Sequence, residues 1–526
     1  MSAILQRVTP AIRAKLDASE NALRRRDRDV ALRLAREAAS LAPDHPETLR
    51  QVAAALSTFG PSGEALALID RAIALRPDDV QLLTTRAVVL EGNGNKAAAI
   101  DAFRQAHAIA PTSISSTYNL GRVLSKYGAS DESLVVLDRA LAMDPNHRGA
   151  RATKAEVLRH LGRTEEAIAE HRYLISRDPH DINVWSALAA LDWKKFTEAE
   201  IATLEGLERN ASLPVEPRVR LGFALGKIYE DRARYADAYG VYLRANTMAR
   251  SQLPWIAAAF SGQVTSISNA FAEPIRNDDT QLGAGTIFIV SLPRSGSTLT
   301  EQILAAHPLV DAGDERMDVF DVIAAEGQRR KLPLARWAPL ATHEDWHRLG
   351  HDYLERAAKW RGDRPFATDK MPANWLWLGA ALAMLPGARV VECRRDILET
   401  AWSCFCHLFA RGAQEFSYDF ESIAAYARDY DRTMSQWKSI YPSRIRTQVY
   451  EAMVSDTETQ TRELLAFCGL DFDPACLRFY EAQRSVRTAS ASQVREPMRK
   501  DTARTAKYGA LLDPLRTALG LPLFTD

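Results

Sequence analysis

A helical-repeat array followed by an α/β domain with a parallel sheet is the fold class that this 526-residue sequence predicts. Three observations predict it. Prolines recur in a fixed register through the first half. Short apolar, β-branched runs then alternate with helical patterns. The first of those runs opens into a loop rich in serine and glycine. The length implies two to four domains, and 46% hydrophobic against 25% charged residues is the balance of a folded chain.

The register is carried by Pro43, Pro77, Pro111, Pro145 and Pro179, each 34 residues after the one before. Twelve residues before them stand Ala31, Ala65, Ala99, Ser133 and Ala167; five before stand Ala38, Ala72, Ala106 and Ala140, with Leu174 breaking the series. Small residues let two antiparallel helices approach closely, and proline stops the second helix. The period and these marks resemble the tetratricopeptide repeat. A degenerate unit follows at about 182–215 and a last helical pair at 221–250, giving about six or seven units over residues 1–254. Such arrays present a concave face that takes up polypeptides. The alanine, leucine and tyrosine residues are read as the stack itself, so none is nominated as a ligand.

After Arg250 the period is lost, and a second domain is expected over 275–526. TIFIVSL (286–292), ARVVECR (388–394) and RIRTQVY (444–450) read as strands; NWLWLGAALAML and SIAAYARDYDRTMSQWKSI read as helices. The alternation predicts a parallel sheet. The first strand runs into Pro293-Arg294-Ser295-Gly296-Ser297-Thr298 and then the helix LTEQILAAH. Backbone N–H groups at a helix start, three hydroxyls and one arginine make a phosphate-binding loop of the P-loop kind. Ser291 and Ser297 stand where a nucleotide triphosphatase loop would carry glycine and lysine, which disfavours ATP-dependent phosphoryl transfer.

PRSGSTLTEQILAAHP resembles the 5′-phosphosulfate loop of sulfotransferases, especially tyrosylprotein sulfotransferases and their bacterial repeat-bearing relatives. The resemblance implies 3′-phosphoadenosine 5′-phosphosulfate as donor, with Arg294, Ser295, Gly296, Ser297 and Thr298 around its phosphosulfate. It extends to Arg395 and Ser403, eight residues apart, at the positions that hold the 3′-phosphate. Tyr450 matches the tyrosine beside the adenine. TASASQVREPMRKDTARTAKY is similar to the late donor-binding loop, with Ser490, Gln493, Val494 and, across an insertion, Lys507. For catalysis the resemblance implies Glu315 as base, with Arg294, Lys370 and Ser490 at the transferring group. Asp311, Asp314 and Asp318 remain alternatives to Glu315.

The sequence also departs from the tyrosylprotein branch. His407 stands at the position of an arginine, and Met317 at that of a peptide-contacting arginine. Ala312 and Thr368 replace a cysteine pair. The acceptor is therefore left open between peptidyl tyrosine, a sugar, a lipid and a small phenol. The rival reading is a repeat scaffold whose nucleotide-binding domain is inactive.

The remaining exclusions come from composition. Lys+Arg and Asp+Glu are both 67, so no global positive field argues for nucleic acid. No spaced His/Cys/Asp cluster calls for a metal. The longest apolar run, 375–385, is too short to span a bilayer. Five cysteines without a framework spacing, and an N-terminus without a leader-like apolar core, lead us to expect a cytoplasmic protein.

Overall fold

The computed structural model describes residues 8–25, 27–60, 62–191, 196–210, 212–275, 279–410, 412–481, 498 and 503–525. The chain forms two compact units, 1–177 and 178–526.

The first unit is built of five helical hairpins among its described residues, from Pro10–Arg24 with Arg28–Leu41 to Arg148–His160 with Thr164–Arg177. Every second helix stops two residues before its proline. The small residues twelve and five before each proline are buried to the last few per cent. Ser133 shows why a hydroxyl serves at one of these places: its Oγ donates to the Gly121 carbonyl at 2.7 Å. Helix starts are set by side-chain caps such as Asp27, Ser62, Asp79 and Ser113.

The second unit holds a five-stranded sheet: β1 (Thr286–Ser291), β2 (Val310–Ala312), β3 (Phe366–Lys370), β4 (Arg389–Arg394) and β5 (Ile445–Val449). The order is β2-β3-β1-β4-β5, and every pairing is parallel. All carboxyl ends therefore lie along one edge, where parallel sheets bind ligands. β1 is buried throughout. One of its faces packs with Ile303, Val391, Leu464 and Leu465 in a core that also holds Cys393, Cys468 and Cys476. All five thiols are free.

Two further helical pairs, Ile182–Leu191 with Glu198–Arg209 and Val215–Asp231 with Tyr235–Gln252, share this compact unit with the sheet. Trp402 is fully buried, its ring 6.0 Å from those of Tyr239 and Tyr242. Asn246 donates to the Phe405 carbonyl at 2.9 Å, and Ser261 to Asp429 at 2.6 Å. No helix among the described residues is long and apolar enough to cross a membrane.

Candidate active site

β1 leads into the loop that ends at the helix Ser297–Ala305. Arg294 (φ 69°) and Gly296 (φ 90°) both take left-handed backbone conformations around Ser295. At 296 this requires glycine on two counts, because a Cβ there would lie 2.7 Å from the Tyr450 ring. Ser295, Ser297 and Thr298 are buried. The Arg294 Nε donates to the Ser403 Oγ at 3.2 Å, joining the loop to the helix Ile397–Phe405. Burial, with Arg504 and Arg395 nearby, holds the Arg294 guanidinium below its ordinary pKa.

β4 ends at two arginines that part company. Arg394 turns to Glu392, at 3.2 Å, and to Asp431. Arg395 bonds Glu399 at 3.3 Å and lies 4.9 Å over the Tyr450 ring. Asp396 caps the next helix by accepting from the Glu399 N–H at 2.9 Å. Arg294, Gly296, Arg395, Ser403 and Tyr450 are thus brought together from the ends of β1, β4 and β5.

The third part follows β2. A Cβ at Gly313 would overlap the Thr368 carbonyl at 2.2 Å, so the turn hugs β3. Glu301, fully buried on the helix Ser297–Ala305, accepts from the Asp314 N–H (3.0 Å) and the Thr368 Oγ (3.1 Å). The Lys370 N–H reaches the Asp314 carbonyl at 3.1 Å. This brace delivers Glu315 to the end of β3, where Lys370 Nζ donates to Glu315 Oε1 at 2.8 Å. The lysine side chain is wholly buried, whereas Glu315 is 48% exposed. Asp318 is engaged elsewhere, accepting from the Trp360 indole at 2.7 Å, and Asp311 from the Arg364 N–H at 3.3 Å.

Residues 286–474 match the sulfotransferase family. The C-terminal part is a sulfotransferase domain. Residues 58–114 and 126–191 match the tetratricopeptide repeat. Among curated relatives, an uncharacterised protein of Aquifex aeolicus (strain VF5) is 30% identical over 334 residues, 61% of this chain and 44% of its own. The chain thus spans less than half of that relative's length. Similar solved structures include a thermophilic repeat protein of Thermus thermophilus. It is 21% identical, covers 34% of this chain and 98% of its own, and has a TM-score of 0.31. A tetratricopeptide-repeat protein of Parabacteroides merdae is 18% identical, covers 46% and 94%, and has a TM-score of 0.34.

Other residues of the sulfotransferase domain escape sequence reasoning. Glu301 left a faint signal, the one acid in the helix Ser297–Ala305. In the late segment, Ser490, Gln493 and Val494 lie outside the described residues, and Lys507 is exposed. Three residues earlier, Arg504 is drawn inward to a bidentate pair with Glu230 of the helix Val215–Asp231. Burial opposes its charge, but Glu230 outweighs that and holds its pKa above the ordinary value. The Arg504 and Thr505 N–H groups and the Thr505 hydroxyl all donate to Glu399 Oε1, at 2.8, 2.7 and 2.7 Å. The same Glu399 holds Arg395. His407, close to Arg294 and Lys227, is pushed down to about 3, chiefly by burial, and so stays neutral. No group of three or more His, Cys, Asp or Glu among the described residues could hold a metal ion.

Proposed function

We propose that the protein transfers a sulfuryl group from 3′-phosphoadenosine 5′-phosphosulfate to a hydroxyl acceptor. The observation that carries this reading is the 2.8 Å contact between Lys370 and Glu315 beside the phosphate-binding loop. On this reading Glu315 is the carboxylate base and Lys370 the buried cation for the meeting of acceptor hydroxyl and transferring group.

The residues fit the donor. A loop that only glycine can close at 296, with hydroxyls of Ser295, Ser297 and Thr298 and the charge of Arg294, suits the phosphosulfate. Arg395 and Ser403 suit the 3′-phosphate, and Tyr450 the adenine face. Ser490, Gln493, Val494 and Lys507 complete the assignment on the family pattern. When bound, the donor supplies a sulfuryl group activated by its phosphate leaving group. Glu315 takes the proton of the acceptor hydroxyl as the new oxygen–sulfur bond forms and the sulfur–oxygen bond to phosphate breaks, releasing adenosine 3′,5′-bisphosphate. Lys370 and Arg294 offset the charge that moves onto the transferring and leaving oxygens. Lys370 also keeps Glu315 aimed.

We assign recruitment of a polypeptide acceptor to the repeats, with peptidyl tyrosine the first acceptor to try. Five free thiols favour a reducing compartment such as the cytoplasm. The test uses sulfur-labelled donor with tyrosine peptides, sugars, lipids and phenols. Label should pass to one class, and Glu315→Gln should cut turnover by roughly 10²–10⁴ while bisphosphate affinity holds. Undiminished turnover in Glu315→Gln would remove the base from this residue, and preference for ATP as donor would overturn the reaction.

A further inference from the structure

We propose that Glu399 is a positioning residue of the donor site. One of its carboxylate oxygens directs Arg395 to the 3′-phosphate, while the other fastens the chain at 504–505 to the helix Ile397–Phe405. The inference rests on the donor reading above. It draws in Glu230, Arg504 and Thr505, all outside the matched span 286–474.

Local chemistry alone would keep Glu399 at the start of its own helix. It is the third helical residue, and its N–H donates to the cap residue Asp396 at 2.9 Å. In a capping box the acid at this place would accept from the N–H of the cap in return. Glu451 Oε1 takes that N–H instead, at 3.0 Å. The Glu399 side chain is thereby spent on partners far away in the chain. Its Oε1 accepts from the Arg504 N–H at 2.8 Å and from the Thr505 N–H and hydroxyl at 2.7 Å each. Its Oε2 accepts from a terminal nitrogen of Arg395 at 3.3 Å.

Three donors on one oxygen, in a side chain that is buried, hold the carboxylate in a single direction. The donors are themselves anchored, since Arg504 forks onto Glu230 of the helix Val215–Asp231. Arg395 is held from two sides, by Glu399 Oε2 and by the Tyr450 ring 4.9 Å from its guanidinium carbon. A guanidinium carries five N–H donors in a fixed fork, so fixing one of them aims the rest. An arginine aimed in advance loses less side-chain freedom when it meets an anion, and the anion is bound more tightly.

The full-length chain is titrated calorimetrically with adenosine 3′,5′-bisphosphate and adenosine 5′-monophosphate, and its thermal midpoint is read without ligand. Glu399→Gln keeps an oxygen for the donors of 504–505 but loses the acceptor for Arg395. It should weaken the bisphosphate about three- to tenfold, leave the monophosphate unchanged and keep the midpoint near wild type. Added to Arg395→Ala, it should weaken the bisphosphate no further. Thr505→Val removes one of the three donors and should reduce the preference for the bisphosphate about twofold through the same carboxylate. A merely structural Glu399 would instead lower the midpoint and weaken both nucleotides alike. An unchanged preference in both variants, or tighter bisphosphate binding in Glu399→Gln, would overturn the proposal alone. Failure of the wild-type chain to prefer the bisphosphate would overturn the donor reading and the proposal with it.

Discussion

The repeat unit and the sulfotransferase unit hold themselves together over very different distances along the chain. In residues 1–177 exposed ion pairs such as Arg36 with Glu64 and Arg104 with Glu132, each 28 residues apart, join neighbouring hairpins. The apolar clusters are small and each is local, such as Ala87 to Val136. In residues 178–526 the decisive bonds are wholly or partly buried and long-range: Arg294 to Ser403 across 109 residues, Thr505 to Glu399 across 106, Arg504 to Glu230 across 274. The first construction is quasi-one-dimensional, so damage stays near its origin. The second ties residues of the candidate site to several elements, so damage there should spread to function.

The largest expected effect lies at the site itself. Lys370→Met removes the buried cation and the partner that aims Glu315; turnover should fall by roughly 10²–10³ with bisphosphate affinity nearly kept. Parallel loss of affinity would mean that Lys370 serves the donor loop instead. Next comes Arg395→Ala, which should weaken adenosine 3′,5′-bisphosphate roughly ten- to a hundredfold and adenosine 5′-monophosphate hardly at all. Equal losses would break the 3′-phosphate assignment.

A matched pair of glycines sharpens the comparison directly. Alanine at Gly121 would press on Leu137, 2.8 Å away, and alanine at Gly226 on the Tyr242 ring. Each should cost about 1–3 kcal/mol by overpacking, Gly121 less because leucine can turn aside. Only Gly226→Ala should also weaken bisphosphate binding, because its helix carries Glu230, which holds Arg504 and through it Glu399 and Arg395. Equal effects on binding would erase the distinction between the two units.

A further effect is on pH dependence. His407 titrates near 6.5 when unfolded and about 3 when folded, so between these values the unfolded chain binds the extra proton. Stability therefore falls as pH drops from 6.5 toward 3, and His407→Phe should flatten that limb of the acid-unfolding curve.

What was legible in the sequence is what repeats or what is local. Five prolines in register define the hairpins, and β1, β4 and β5 announce themselves by β-branched runs. β2 escaped because three residues carry no pattern. β3 escaped because FATDK ends in two ionisable residues, a type that is rarely buried. Both are fully buried, Asp369 under the Tyr353 hydroxyl at 2.8 Å and Lys370 against Glu315. Glu315 was reachable only through the family resemblance, since the strand before it escaped, whereas Arg395 also lies just beyond a strand that the sequence shows. The Glu230–Arg504 pair was not, since nothing local marks partners 274 residues apart. Periodicity likewise reveals that 215–252 is a hairpin but not what it packs against.

The account's central claim is that the ends of β1, β4 and β5 form a site for a 3′-phosphorylated nucleotide. Calorimetric titration of the full-length chain with adenosine 3′,5′-bisphosphate, adenosine 5′-monophosphate and ATP tests it most directly. Binding of the bisphosphate at least roughly tenfold tighter than of either other nucleotide is the predicted result. Equal affinity for the monophosphate, preference for ATP, or no binding by the folded chain would contradict it and turn attention to the repeats as the working part.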